Sequence, residues 1–216
     1  MIVLSYDLLE VVFNNLCAIS QIRFRQLCDL TYDNLQITNF YDIQLLSYKI
    51  TNKILEQYQH ITRLNLEYVE TVSDVNYLTN LRDLNIGDCC GVDQTGISEL
   101  RNVIRLNAEN NDRITNVNHL PHLRVLNASR LCGIDQVGIS ESRNLVALDA
   151  SYNDCIYNLN HCSKLRTLYI NSHICAVDQP GISKLRNLTK LSSRGNDKIT
   201  QQITNTETSL GPQHGI

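Results

Sequence analysis

One phrase sets the rhythm of the chain. CCGVDQTGIS occupies residues 89–98, and close copies return as LCGIDQVGIS at 131–140 and ICAVDQPGIS at 174–183. Cys90 and Cys132 are 42 residues apart, and Cys132 and Cys175 are 43. A Leu-x-apolar pair keeps the same beat, at Leu64/Leu66, Leu84/Ile86, Leu106/Ala108, Leu126/Ala128, Leu148/Ala150, Leu168/Ile170 and, degraded, Leu191/Ser193. Its intervals are 20, 22, 20, 22, 20 and 23 residues, so a unit of about 21 comes in a short and a long kind. A short fixed period leaves few folds open. One unit cannot bury its own apolar side chains, so units stack and each touches only its neighbours.

Both kinds of unit carry an apolar residue eight positions after the first leucine: Val72, Val92, Ile114, Ile134, Ile156 and Ile199, with Val177 displaced by one inserted residue. This is the leucine-rich repeat pattern, L-x-x-L-x-L-x-x-N. Asn111, Asn153 and Asn196 stand where the pattern wants asparagine, so their amides can pair backbone groups of neighbouring turns. The fold class expected is an α/β solenoid, a leucine-rich repeat with a parallel concave sheet, preceded by a small helical module. About seven strands are expected, centred on residues 65, 85, 107, 127, 149, 169 and 192.

The repeated phrase then reads as structure on the convex side, not as an active site used three times. Asp93, Asp135 and Asp178 are placed to cap short helices near 96–103, 138–145 and 181–188. Ile97, Leu100 and Val103 would share the inward face, while Ser142 interrupts the equivalent face of the middle copy. Residues 1–42 carry no repeat and read as a helical module, with apolar positions at 8, 9, 12, 13 and 16. Residues 43–60 read as a helical cap over the first strand, 61–200 as the repeats, and 201–216 as an aperiodic tail.

Charge and cysteine usage narrow the function. The net charge of −3 gives no basic footprint of a nucleic-acid binder, and no apolar run approaches a membrane span. The N-terminal MIVLSYDLLEVVF contains Asp7 and Glu10 and lacks a basic start, so no secretory leader is expected. Eight cysteines without a CxxC pair read as reduced, structural thiols without metal, in the cytoplasm or nucleus. Cys90, Cys132 and Cys175 are expected near one another on successive long repeats. No nucleotide-binding, hydrolase or zinc-protease motif occurs, His119 and His122 read as ordinary connection residues, and His161-Cys162 lacks an orienting third group. The expectation is a binder without cofactor, not an enzyme.

Between and beside the inward leucines, alternate residues face the concave surface. Arg63, Asn65, Asn85, Arg105, Asn107, Asn127, Asp149, Tyr169 and Asn171 are the candidate contacts to a protein target. Seven strands at about 4.8 Å make a face roughly 29 Å across. An ordinary solvated, asparagine-rich face is the other reading of the same residues.

The stretch Leu4–Tyr32 resembles an F-box. It matches that motif without gaps at Leu4, Asp7, Leu8, Leu9, Val12, Phe13, Leu16, Leu27, Cys28 and Tyr32, and departs from it at Ser5, Asp29 and Thr31. Followed by alternating repeats in an Asn/Ile/Tyr-rich chain, it is similar to the F-box/leucine-rich-repeat proteins of mimivirus-type giant DNA viruses. The resemblance implies a substrate receptor, located in a host cell if the chain is viral. Leu4, Leu8, Leu9, Val12, Phe13, Leu16 and Leu27 would dock on a Skp-type adaptor of a cullin-RING ubiquitin ligase, while the repeats hold a target of unknown identity. The alternative is a stand-alone repeat protein whose first helices only cap the solenoid.

Overall fold

The computed structural model describes residues 39–40 and 50–200, and the F-box-like stretch and the tail 201–216 lie outside them. Eight strands form one all-parallel sheet in chain order. They are β1 (Asn39–Phe40), β2 (Arg63–Asn65), β3 (Asp83–Asn85), β4 (Arg105–Asn107), β5 (Val125–Asn127), β6 (Ala147–Asp149), β7 (Thr167–Tyr169) and β8 (Lys190–Ser192). The register follows the repeat, with Leu64, Leu84, Leu106, Leu126, Leu148, Leu168 and Leu191 as successive partners. These leucines and the apolar residues two positions on form a continuous core with Val92, Ile114, Ile134 and Ile156; at the last turn Leu191 and Ile199 are only partly covered.

Two placements differ from the sequence expectation at the start of the sheet. β1 pairs Phe40 with Leu64 inside the segment read as a separate module, so the sheet begins before residue 42. Its two residues carry no Leu-x-apolar pair, which hid it from a search for that signature. Within 50–60, the expected cap helix is one short element, α1 (Asn52–Leu55). Its neighbour Thr71 donates a hydroxyl hydrogen bond to the carbonyl of Ile50, tying this turn to the next.

The strands end one residue earlier than the leucine pattern suggests, and the cause is a side chain. After β2 the Leu66 N–H still pairs with Asn85 O, but the Glu67 N–H is taken by Asn65 Oδ1 at 3.0 Å. The same self-capping recurs from Asn85 to Gly87, Asn107 to Glu109, Asn127 to Ser129 and Asp149 to Ser151. The chain then turns through a left-handed residue in every repeat: Tyr68, Asp88, Asn110, Arg130, Tyr152, Ser172 and finally Gly195. Asp88, Asn110, Arg130, Tyr152 and Ser172 each donate their N–H to the following repeat, which fixes the turn.

The convex side is tighter than expected. Helix α2 (Gln94–Ile97) and helix α3 (Gln179–Ile182) are single turns, and the middle copy has only hydrogen-bonded turns over 136–141. Asp93 caps directly onto Thr95 N and Gly96 N, so α2 starts at once. It also stops at once, because seven residues must carry the chain from Ser98 to the next strand, and extended chain covers about 3.3 Å per residue against 1.5 Å in a helix. Ile97, Leu100 and Val103 are buried as expected, although only the first is helical. Gly96 is required by packing, since a Cβ there would sit 2.1 Å from Ser73 O.

Buried amides join the turns. Asn153, 1% exposed, donates to Ala128 O at 2.9 Å and to Ile134 O at 3.2 Å, and its Oδ1 accepts from Cys155 N and Ile156 N. Asn111 and Asn196 repeat the arrangement. Between them in the same column lie Cys90, Cys132 and Cys175, all buried and free. The three cysteines therefore alternate with the asparagines of the short repeats and are not next neighbours.

Asn153→Ala removes four hydrogen bonds and strands two buried carbonyls. At a net 0.5–1.5 kcal/mol per bond it is expected to cost about 2–6 kcal/mol, read as a fall in the urea midpoint. A change within error of zero would contradict the role given to this side chain.

Candidate functional site

The concave face is built by the residues on either side of each inward leucine. In the central row Asn65, Asn85, Asn107, Asn127, Asp149 and Tyr169 are partners in register across five strand pairs. Most of this row is occupied with structure. Asn65 and Asn85 are 7% and 5% exposed, and the row's oxygens up to Asp149 hold the backbone N–H two residues on. The amide groups of Asn85 and Asn127 donate to Glu67 Oε2 and Glu109 Oε2. Asn171 likewise bridges Ser151 Oγ, Ser192 Oγ and Arg194 N. Five amides read from the sequence as target contacts thus make bonds within the chain: Asn65 and Asn107 cap their own strands, while Asn85, Asn127 and Asn171 also link neighbouring repeats.

What remains presented is mostly charged. Arg63 pairs with Asp83 at 3.4 Å and Arg130 with Glu109 at 2.5 Å, while Arg105 is exposed. Lys190 lies over the Tyr169 ring, 5.2 Å from its centre, which sets a cation–π pair at the far end of the face. Between these ends the outer row is small and apolar at Val125 and Ala147.

A second row, at the C-terminal ends of the strands, escaped the sequence reading. The left-handed residues Tyr68, Asp88, Asn110, Arg130 and Tyr152 line this rim, with Tyr68 59% and Tyr152 51% exposed and the neighbouring Leu131 74% exposed. Asn110 Nδ2 donates to Asp88 Oδ1 at 3.0 Å, and a hydrogen bond with Asp88 pushes the Tyr68 hydroxyl above its ordinary pKa. The signal was available, because each of these residues stands four positions after the first leucine of its repeat. Without the backbone angle nothing distinguished that position.

His119, His161 and the buried thiols have structural partners. His119 Nε2 lies 3.0 Å from Ile97 O and His161 Nε2 3.0 Å from Ile139 O, one repeat back in each case. Burial lowers the His119 pKa. The Cys162 thiol points at Ser142 O and burial pushes it up to about 12, so His161 and Cys162 serve separate partners. Burial also raises Cys90 to about 11 and Cys132 to about 12. Ser142, which interrupts the apolar pattern, is buried with its hydroxyl unpartnered among the described residues. Among these residues no group of three or more His, Cys, Asp or Glu could hold a metal ion, and no helix is long and apolar enough to cross a membrane.

Parallel strands at a 21-residue beat, leucines inward and asparagines bridging turns define a leucine-rich-repeat solenoid. Solved structures agree. The functional domain of InlJ from Listeria monocytogenes, which includes a cysteine ladder, superposes with a TM-score of 0.52 at 23% identity, covering 68% of this chain and 33% of that one. Internalin C2 from Listeria monocytogenes superposes with a TM-score of 0.53 at 19% identity, covering 79% of this chain and 72% of that one. At such identities the likeness is one of fold, and this chain spans about a third of the InlJ domain. No family model and no curated protein matches the chain.

Asp149 is the one carboxylate in the central amide row. Burial raises its pKa, against hydrogen bonds with Ser151 that lower it. A folded-state pKa above the unfolded value means that folding favours the protonated acid. That contribution is full below about pH 3.9 and is lost as pH rises through the folded value. Asp149→Asn is therefore expected to be more stable than the parent at pH 7, with the gain fading near pH 3. Urea midpoints at the two pH values measure this, and an equal gain at both would contradict the account.

Proposed function

We propose that the chain is a protein-binding scaffold, not a catalyst, and that it is a substrate receptor. Its repeats hold a protein target, and the F-box-like stretch Leu4–Tyr32 couples that target to a Skp-type adaptor of a cullin-RING ubiquitin ligase. The observation that carries the binding reading is the rim. A non-glycine residue in the left-handed region costs about 1–2 kcal/mol, yet six successive repeats keep a side chain there and only the last uses glycine. Tyr and Arg, the residue types that dominate interface energetics, occupy three of the six positions, at Tyr68, Arg130 and Tyr152. The open rim and the presented charges of Arg63, Arg105 and Glu109 border one face, which suits a folded protein surface better than a small molecule.

The adaptor half rests on the sequence resemblance, in which Leu4, Leu8, Leu9, Val12, Phe13, Leu16 and Leu27 would supply the docking face. One observation favours the stand-alone alternative: β1 joins the sheet directly, so the chain before residue 42 already contributes to the solenoid.

Co-purification with a Skp-type adaptor separates the two. Burying an aromatic side chain is worth about 1.5–3 kcal/mol, so Phe13→Asp is expected to weaken adaptor binding about tenfold or more while the melting temperature of the repeats holds. Undiminished adaptor binding by a chain lacking residues 1–42, or loss of the melting transition without loss of binding, would overturn the receptor reading in favour of a cap.

A further inference from the structure

The charges of the solenoid are sorted between its two edges. The rim at the C-terminal ends of the strands is mainly acidic, with Glu67, Glu70, Asp88, Glu109, Asp112 and Asp154 against Arg130, which is paired with Glu109. The opposite edge, where chain descends into each strand, is basic. Every connection from β3 to β8 delivers one arginine there: Arg82, Arg101, Arg124, Arg143, Arg166 and Arg186, all exposed. Arg101 and Arg143 are paired with Glu99 and Glu141 at 3.7 and 3.5 Å. Among the described residues Arg82, Arg124, Arg166 and Arg186 form no ion pair. The whole-chain charge of −3 conceals this edge entirely.

A cavity of about 270 Å³ opens in the middle of the basic edge, lined by Pro121, His122, Arg124, Asn144, Val146 and Lys164. Its wall is fixed. Asn144 Nδ2 donates to Pro121 O at 2.9 Å, and Lys164 Nζ donates to Asn144 Oδ1 at 2.7 Å. Lys164 keeps two further N–H donors, and Arg124 lines the same notch with none of its guanidinium donors bonded to a described side chain. The notch offers donors and positive charge to a ligand and little to accept with, which is the chemistry of a carboxylate or phosphate seat.

We infer that this edge docks an extended acidic polypeptide segment, with one carboxylate seated between Arg124 and Lys164. This is independent of the receptor reading above, since it uses neither the N-terminal stretch nor the rim. The spacing fits. Arg82, Arg124 and Arg166 recur every second strand, about 9.6 Å apart at 4.8 Å per strand, and one turn of polyproline II chain, three residues at about 3.1 Å each, spans about 9.3 Å. An acid at every third position of such a chain lies on one face and meets successive arginines. Single-stranded nucleic acid matches less well, because its binding combines charge with aromatic platforms for the bases. The exposed tyrosines Tyr68, Tyr152 and Tyr157 all follow the strands, on the rim and convex side, and none borders the basic edge.

The test titrates the full chain, by fluorescence anisotropy at low salt, with a labelled peptide bearing Asp at every third position and Ser between. Saturable binding is expected, weakening as salt screens the charges. Lys164→Glu with Arg124→Glu should weaken it about tenfold or more, while the melting temperature stays near the parent's and Lys53→Glu, an exposed charge reversal on α1, binds the peptide as the parent does. No binding of the peptide, equal binding by the doubly reversed variant, or tighter binding of a single-stranded oligonucleotide of equal charge would each overturn the proposal.

Discussion

The structure depends on a backbone problem solved by side chains. A parallel strand of three residues can offer its neighbour only a few hydrogen bonds, and the loops on both sides carry N–H and C=O groups that burial would leave unpaired. Amide side chains take them up. Asn111, Asn153 and Asn196 tie each short turn to the long turn before it. Gln94 and Gln136 reach forward instead, each accepting from two backbone N–H groups of the next turn and donating to a carbonyl there. Asn76, Asn118 and Asn160 clamp the convex turn of the following long repeat. Only with these links does a stack of short strands become one object.

This explains why the repeated phrase looked like chemistry. Asp, Gln, Gly, Ile and Ser each have a fixed duty in it: cap, bridge to the next turn, close approach, core and turn closure, the last through Ser98 Oγ and its equivalents. The central concave amides are largely consumed by the ladders, which leaves the charged flanks, the left-handed rim and the basic edge as the polar surface not tied up in structure. Polar residues at fixed offsets were serving stability, and the irregular positions between them are free to differ from repeat to repeat.

The period, the parallel order, the inward leucines and the bridging role of Asn153 were legible because each rests on local spacing. Strand ends were not, since they depend on whether Asn65 spends its oxygen on Glu67 N or on solvent. β1 was missed for want of a signature, and the helices were drawn too long because residue spacing shows which side chains face inward but not how far the chain must travel to the next strand. The rim was hidden because six of its seven left-handed positions carry side chains other than glycine. The basic edge was hidden for another reason. Its arginines stand alternately two and five residues before the leucine, so only the stacked register aligns them.

Native-state hydrogen exchange addresses the central claim directly, that side-chain ladders hold the loops as firmly as backbone pairing holds the sheet. The amides of Arg113, Thr115, Asn116, Cys155, Tyr157 and Asn158 all donate to a ladder Asn or Gln in the loops. Their protection should lie within about tenfold of that of the strand amides of β4 to β6, as one cooperative unit. Exchange of these six at rates near those of an open loop, beside a protected sheet, would contradict it.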